Sequence, residues 1–249
     1  MEINMDQNNG QTAKPLYEQV MQNTGAAAQA ATQTAAQTVM SETGTISRRA
    51  YNLIIGFIVL WGVGLDTAIC MFFGDKITAA FQNTWTYLLI YLGMVIVGCI
   101  IVHASKNPVI SFIGYNILVV GFGIALAMIV SMYMPAIVLE AFLVTTIVTA
   151  LMLLLGTLWQ DMFLKIGRVL FVALIGVIIT EVIMLLITGT YPSWISVVSA
   201  IIFSGFIGYD WAKAQESTPT AKNAVMFATS LYVDIINLFL DILRIVGDD

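Results

Sequence analysis

The sequence has few charged residues, and this scarcity excludes an ordinary water-soluble domain. Asp, Glu, Lys and Arg together make up 10% of the 249 residues, whereas 59% are hydrophobic. A soluble domain carries about a quarter charged residues, because polar groups must cover its surface. Too few polar residues remain here for such a surface, so most of the chain is predicted to face lipid.

Basic patches and catalytic motifs are also lacking. The ten Lys and Arg are scattered and outnumbered by fifteen Asp and Glu, which excludes nucleic acid as a partner. Cys70 and Cys99 lie in apolar runs without metal-ligand spacing, so we interpret them as packing residues. The sequence has no phosphate-binding loop, zinc-protease motif or nucleophile elbow. We therefore expect neither an enzyme nor a bound cofactor.

The first 46 residues lack any long apolar segment. They are rich in Gln, Ala, Thr and Asn and contain no apolar core of a signal peptide, so no cleavable signal is expected. A segment of this composition buries too little apolar surface to offset its ordering entropy. Residues 1–46 are therefore predicted to be a disordered cytoplasmic tail, followed by a membrane domain over residues 47–249.

Long apolar runs dominate the rest of the chain. A membrane-spanning helix needs about 20 mostly apolar residues, and helices satisfy their own backbone hydrogen bonds in lipid. Six strongly apolar runs fit this length, and a seventh is more polar. They cover residues 53–73, 86–102, 109–133, 136–158, 169–187, 192–209 and, for the seventh, 224–246. We predict an all-α integral membrane protein with about seven transmembrane helices.

Polar residues between the runs predict breaks and orientation. Gly74, Asp75 and Lys76 are predicted to end the first helix, and residues 160–168 to separate the fourth from the fifth. The loops on the N-terminal side carry most of the bases, which predicts a cytoplasmic N-terminus. These bases are Arg48, Arg49, Lys106, Lys165, Arg168, Lys213 and Lys222. Short loops and the polar tail favour a multi-pass protein of a bacterial plasma membrane.

Several ionisable residues fall within or at the ends of the apolar runs. Each one at mid-bilayer costs at least about 2.5–3.5 kcal/mol on insertion scales, so each requires an explanation. They are Asp66, His103, Glu140, Glu181, Asp210, Asp234 and Asp241. Asp66, Glu140 and Glu181 could line a polar vestibule. His103, the single histidine, is either an interfacial residue or a proton-handling group.

The seventh run places its polar residues on one helical face. Asp234, Asn237, Asp241 and Arg244 are spaced i, i+3, i+7 and i+10. Asp241 and Arg244 could form a local (i, i+3) ion pair, but Asp234 has no base within four residues. The segment is either enclosed by the other six helices or re-enters the membrane without crossing it.

The same segment resembles the Bax inhibitor-1 (transmembrane Bax inhibitor motif) family. Residues 230–244, SLYVDIINLFLDILR, are similar to the closing signature of the family, Leu-Tyr-x-Asp-x-Ile-Asn-Leu-Phe-x-x-x-Leu-Arg. Tyr209-Asp210 is similar to the Tyr-Asp at the end of the sixth helix of the family. The resemblance covers about residues 47–247. It implies six helices around a central semi-polar seventh and a calcium leak channel that responds to pH.

The resemblance also implies roles for individual residues. Asp210 and Asp234 would be the paired aspartates of the pH sensor and ion pathway, and a candidate Ca²⁺ site. Independently of the resemblance, the positions of Asn237, Asp241, Glu181, Glu140 and Asp66 within the apolar runs predict a secondary polar lining. Bacterial members use an arginine near the second and third helices as a charge partner, and this chain has none there. His103, Lys106 and Arg244 are the candidate charge partners.

Elementary electrostatics supports such a pair and leaves other functions open. Two carboxylates in a site of low dielectric constant repel each other when both are ionised, so they share a proton and titrate as a unit. Their oxygens also suit Ca²⁺. One alternative is a proton-coupled transporter with Asp66, Glu140, Glu181 and Asp234 as relay groups. Another is a non-transporting stress regulator that binds a membrane or cytoplasmic protein partner through its tail.

Overall fold

The computed structural model describes residue 25 and residues 44–80, 84–188 and 192–248. Seven helices follow one another in these residues, and Ile46–Asp249 form one compact unit. The helices are α1 (Arg48–Ala80), α2 (Thr84–Ala104), α3 (Pro108–Val130), α4 (Pro135–Leu158), α5 (Gln160–Thr188), α6 (Ser193–Glu216) and α7 (Ala221–Gly247). The predicted disordered tail lies almost entirely outside the described residues and stays a prediction.

Each of the seven helices is long and apolar enough to cross a membrane. The shortest, α2, has 21 residues, which corresponds to about 31 Å at 1.5 Å per residue and matches the hydrocarbon thickness of about 30 Å. The polar α7 is one unbroken helix of 27 residues, which favours crossing over re-entry. The prediction of an all-α membrane protein with seven spans is confirmed.

Two predicted helix breaks are wrong. α1 continues through Gly74, Asp75 and Lys76 to Ala80, and α5 begins at Gln160, so residues 160–168 form its first turns. Polar residues beyond an apolar run do not end a helix, because its backbone hydrogen bonds stay internal and the side chains are solvated at the membrane surface. The end of an apolar run in the sequence therefore indicates where the helix leaves the hydrocarbon layer, and the helix itself continues beyond that point.

The polar helix α7 lies at the centre of the bundle. In its most apolar window 67% of the residues are buried, against 11% for α2 and for α4. It packs against α6, α1, α4 and α3 and, to a smaller extent, α2, whereas α5 packs on α6 and α4. This arrangement agrees with six helices around a central seventh, with α5 as an outer layer. The carboxylates of α7 avoid lipid because its neighbours enclose them.

A close helix crossing brings α6 into this arrangement. Gly156 of α4 lies against Gly208 of α6, and a Cβ on Gly156 would lie 2.6 Å from the Gly208 carbonyl oxygen. Small residues allow such backbone contact between membrane helices. This contact between α4 and α6 lies two residues before Asp210, and it helps to hold α6 next to α7.

Basic side chains tie helix ends together at one end of the bundle. Arg48 donates to the carbonyl oxygens of Ala214 (3.3 Å) and Ser217 (3.1 Å), and Lys222 donates to that of Val102 (2.8 Å). These carbonyls belong to the last turns of α6 and α2, where bases satisfy acceptors without a helical partner. The starts of α1 and α7 and the ends of α2 and α6 therefore share one basic end. Its cytoplasmic location stays a prediction.

Candidate functional site

Asp210 of α6 and Asp234 of α7 meet in the interior of the bundle. Their side chains are in hydrogen-bonding contact, and the Ser230 hydroxyl also contacts Asp210. Asp234 is only 7% exposed. The two helices are joined by a short loop at residues 217–220, so they run antiparallel and can bring residues 24 positions apart into contact. The contact links two helices through groups that gain or lose a proton.

One acidic oxygen of the pair has no donor among the N–H and hydroxyl groups. Oδ2 of Asp234 is buried and accepts no hydrogen bond from such a group in the described structure. Among the described residues, no group of three or more His, Cys, Asp or Glu could hold a metal ion. Ca²⁺ takes six to eight oxygen ligands, so the pair would need several waters to bind it. This chemistry suits a proton or a passing hydrated cation better than a resident metal.

An open cleft of about 250 Å³ reaches the aspartate pair. Apolar side chains form most of its lining, including Phe203 and Phe206 of α6. Its polar lining residues are His103, Asp210, Thr229, Ser230 and Asp234. An apolar cleft with a few convergent polar groups is the usual form of a binding site or pathway.

His103 lies in this cleft with the two aspartates. Its Nδ1 is 2.9 Å from the carbonyl oxygen of Cys99. A carbonyl oxygen only accepts, so Nδ1 carries the hydrogen and Nε2 is available to gain a proton. Of the predicted charge partners, His103 is the one that the structure brings to the cleft. Lys106 is exposed in the loop before α3, and no described contact joins it to the pair.

Lys213 is a further base near the pair, which the sequence predicted as a cytoplasmic-side base and not as a charge partner. It lies one turn after Asp210 on α6, and its charge attracts the Asp210 carboxylate. Its Nζ also lies 5.4 Å from the centre of the Tyr209 ring, within the range of a cation–π contact. The (i, i+3) spacing of Asp210 and Lys213 was the signal that could have identified it.

Asp241 and Arg244 form the local ion pair that their spacing predicted. Arg244 Nη1 lies 3.2 Å from Asp241 Oδ1, and Asp241 is 2% exposed. Ser199 of α6 contacts the same carboxylate, and Glu181 of α5 lies close enough to repel it. Asn237 donates to the Val233 carbonyl oxygen of its own helix (2.8 Å). Asp241, Arg244, Ser199 and Glu181 form a second polar cluster, in which Arg244 is paired with Asp241.

The two remaining acidic candidates lie away from the cleft. Asp66 is 3% exposed, and its Oδ2 accepts a hydrogen bond from the Tyr232 hydroxyl at 2.5 Å. Glu140 is exposed on α4. The contact between Asp66 and Tyr232 was missed because the residues are 166 positions apart and no spacing rule connects them.

Comparison with known proteins identifies the family. A family model described as "Inhibitor of apoptosis-promoting Bax1" matches residues 37–249, which includes all seven helices and the aspartate pair. The chain belongs to the Bax inhibitor-1 family. The resemblance to this family is thereby confirmed, and the match covers the whole membrane domain.

Bacterial relatives of this family member are membrane proteins. An uncharacterized membrane protein of Streptococcus pyogenes serotype M3 is 33% identical over 171 residues, which are 64% of this chain and 75% of the relative. The inner membrane protein YbhL of Escherichia coli K12 is 29% identical over 136 residues, 51% of this chain and 58% of the relative. Together with the seven apolar helices, these relatives establish a membrane protein of the Bax inhibitor-1 family.

Proposed function

We propose that this Bax inhibitor-1 family protein is a pH-sensitive leak pathway for cations, in particular Ca²⁺, in a bacterial plasma membrane. One observation carries the proposal: two carboxyl groups from adjacent transmembrane helices meet in the lining of an open cleft. In this proposal the Asp210–Asp234 contact closes the pathway and senses pH. The basic end of the bundle, with the N-terminus, faces the cytoplasm.

A proton shared by Asp210 and Asp234 stabilises the closed pathway. With one proton between them, the two carboxyl groups hydrogen-bond and tie α6 to α7. After that proton is lost, two charges about 4 Å apart repel each other by about 4 kcal/mol at an effective dielectric constant of 20. Conformational equilibria of proteins are balanced within a few kcal/mol, so this repulsion is sufficient to favour separation. The pathway is therefore expected to open as pH rises.

The described conformation fits a closed pathway. Beyond Asp234, α7 continues with Leu238 and Leu243, which are 1% and 0% exposed. The carboxylate oxygens of the pair are hard ligands, and they offer a passing Ca²⁺ a contact once the helices separate.

Calcium flux in liposomes tests the proposal. The purified protein, reconstituted with an internal calcium dye, should admit Ca²⁺ faster at pH 8 than at pH 6, in proportion to the external concentration. Protein-free liposomes give the background. Saturable flux that requires a pH gradient would indicate a proton-coupled transporter instead, and background flux at every pH would contradict any leak pathway.

Replacing His103 should shift the pH response. Histidine gains its charge between pH 5 and 8, and a protonated imidazole in the cleft favours the ionised form of the aspartate pair. A full charge in bulk water contributes about 1 kcal/mol at about 4 Å and less at greater separation, so the cleft imidazole should contribute about 0.5 kcal/mol, or about 0.4 pH unit. We expect His103→Gln to raise the pH midpoint of calcium flux by about that amount. Lys106→Gln removes an exposed charge outside the cleft and should leave the midpoint unchanged; equal midpoints in both variants would rule out the role of His103.

A further inference from the structure

Tyr232 binds a buried carboxyl group on the side of α7 that faces α1. Its hydroxyl donates to Oδ2 of Asp66 at 2.5 Å, and Tyr232 is 0% exposed. Oδ1 of Asp66 is also buried and has no hydrogen-bond partner in the described structure. The ionisable side chains that act on Asp66 are those of Tyr232, Tyr115 and Cys70. Asp66 is therefore held by one strong hydrogen bond, and none of these three neighbours is a base.

The Tyr232 ring has little freedom to move. Tyr115 and Phe122 of α3 pack edge-on against it, with ring centres 5.5 Å and 5.8 Å away. On α1, a Cβ at Gly62 would lie 2.9 Å from two carbons of the ring. The Tyr115 hydroxyl in turn donates to the Ile58 carbonyl oxygen of α1 (2.7 Å). Because the ring is enclosed, its hydrogen bond to Asp66 constrains the rotation of α7 about its own axis.

Tyr232 and Asp234 lie on opposite faces of α7. They are two residues apart, and each residue of an α-helix turns by about 100°, so their side chains diverge by about 200°. One face of α7 is bound to α1 through Tyr232 and Asp66, and the other contacts α6 through Asp234 and Asp210. A rotation that separates Asp234 from Asp210 must also displace Tyr232 relative to Asp66.

We propose that Asp66 is a positioning residue that, through Tyr232, holds α7 at the rotation at which Asp234 meets Asp210. This role rests on the proposed function, because it assigns Asp66 to the closing of the same pathway. A residue needed only to fill space in α1 would be apolar, since a carboxyl group at mid-bilayer costs at least about 2.5–3.5 kcal/mol. The hydrogen bond from Tyr232 of α7 explains why a carboxyl group is present at this position.

Three variants test the hydrogen bond. Tyr232→Phe keeps the ring and removes the donor, Asp66→Leu removes the acceptor, and Asp66→Asn keeps an acceptor oxygen without the acid. We expect Tyr232→Phe and Asp66→Leu to raise calcium flux at pH 6 about tenfold, as for the loss of one buried hydrogen bond. Asp66→Asn should stay within about twofold of the unmodified protein. Thr67→Val is the control, because the exposed Thr67 bonds only within its own helix.

A distance measurement separates this proposal from the proposed function. Spin labels at the exposed positions Met132 and Asp248, in a chain with Cys70 and Cys99 replaced by alanine, report the movement of α7 against the α3–α4 turn. Tyr232→Phe should give at pH 6 the distance that the unmodified sequence gives at pH 8. If no variant conducts Ca²⁺, the proposed function fails and this distance alone decides the role of Asp66. The proposed role of Asp66 would be overturned if Tyr232→Phe left the distance unchanged. It would also be overturned if Asp66→Asn changed the distance or the flux as much as Asp66→Leu does.

Discussion

The Asp234→Asn protein is expected to hold its calcium flux at one low level between pH 6 and 8. The asparagine amide can donate to the Asp210 carboxylate whether or not a proton is available, so α6 and α7 stay tied together at every pH. Loss of a second ionisable group also removes the repulsion of about 4 kcal/mol that favours opening. A change of this size corresponds to a population shift of several hundredfold, so the rise in flux at alkaline pH should disappear.

The measurement is the pH profile of dye-reported calcium entry into liposomes. Asp161→Asn is the matched control, because it removes one carboxylate from an exposed position at the start of α5. It should retain the full profile. Asp210→Asn should match Asp234→Asn, since either change leaves one carboxyl group facing an amide. If Asp234→Asn opened with rising pH as the unmodified protein does, the pair could not be the pH sensor.

The second large effect is expected from Gly62→Ala, which should destabilise the folded bundle. A Cβ at this position would lie 2.0 Å from the Tyr115 hydroxyl oxygen and 2.9 Å from ring carbons of Tyr232. Both tyrosines are fully buried, and their hydroxyls bond to Ile58 and Asp66, so neither can move without losing a hydrogen bond. Overpacking of a core costs about 1–3 kcal/mol, and the lost hydrogen bonds place this variant at the upper end.

Thermal unfolding in detergent gives the measurement. About 3 kcal/mol corresponds to a fall in melting temperature of about 6–12 °C for a chain of this size. Gly56→Ala and Gly64→Ala are matched controls in the same helix, because a Cβ at either position meets nothing within 4 Å. Alanine also favours the helix over glycine, so these two proteins should be at least as stable as the unmodified one. Equal melting temperatures for Gly62→Ala and Gly64→Ala would contradict the packing argument.

Much of the architecture followed from hydrophobicity alone. Seven long apolar runs predicted seven helices, because lipid admits few other structures for an unpaired backbone. Asp234 and Asp241 predicted that the last helix could not face lipid all round, which left enclosure or re-entry as alternatives, and the central position followed from the family resemblance. The local Asp241–Arg244 pair followed from its (i, i+3) spacing. The ends of α1 and α5 were predicted wrongly, because hydrophobicity indicates where a helix leaves the membrane and not where the helix ends.

The candidate site was predictable only in part. The resemblance of residues 230–244 to the family signature pointed to Asp234 and, with Tyr209-Asp210, to its partner. His103 was predicted only as one of three candidate charge partners, and neither periodicity nor motif indicated that Ser199 reaches Asp241. Such neighbours lie on other helices. Periodicity within α7 identifies its polar face, but it does not identify the residues of other helices that contact this face.

The sequence by itself determined that the protein lies in a membrane, that it has seven helices, and that the last of them carries acids that must be enclosed. These properties depend on composition and local spacing, which act through lipid solvation and the helical repeat. Only the tertiary structure decided which groups those acids contact: Asp210 for Asp234 on one face of α7, and Asp66 for Tyr232 on the other. Such contacts depend on how distant helices rotate and cross, which is set by close packing at residues such as Gly62 and Gly208 and not by any pattern within one helix.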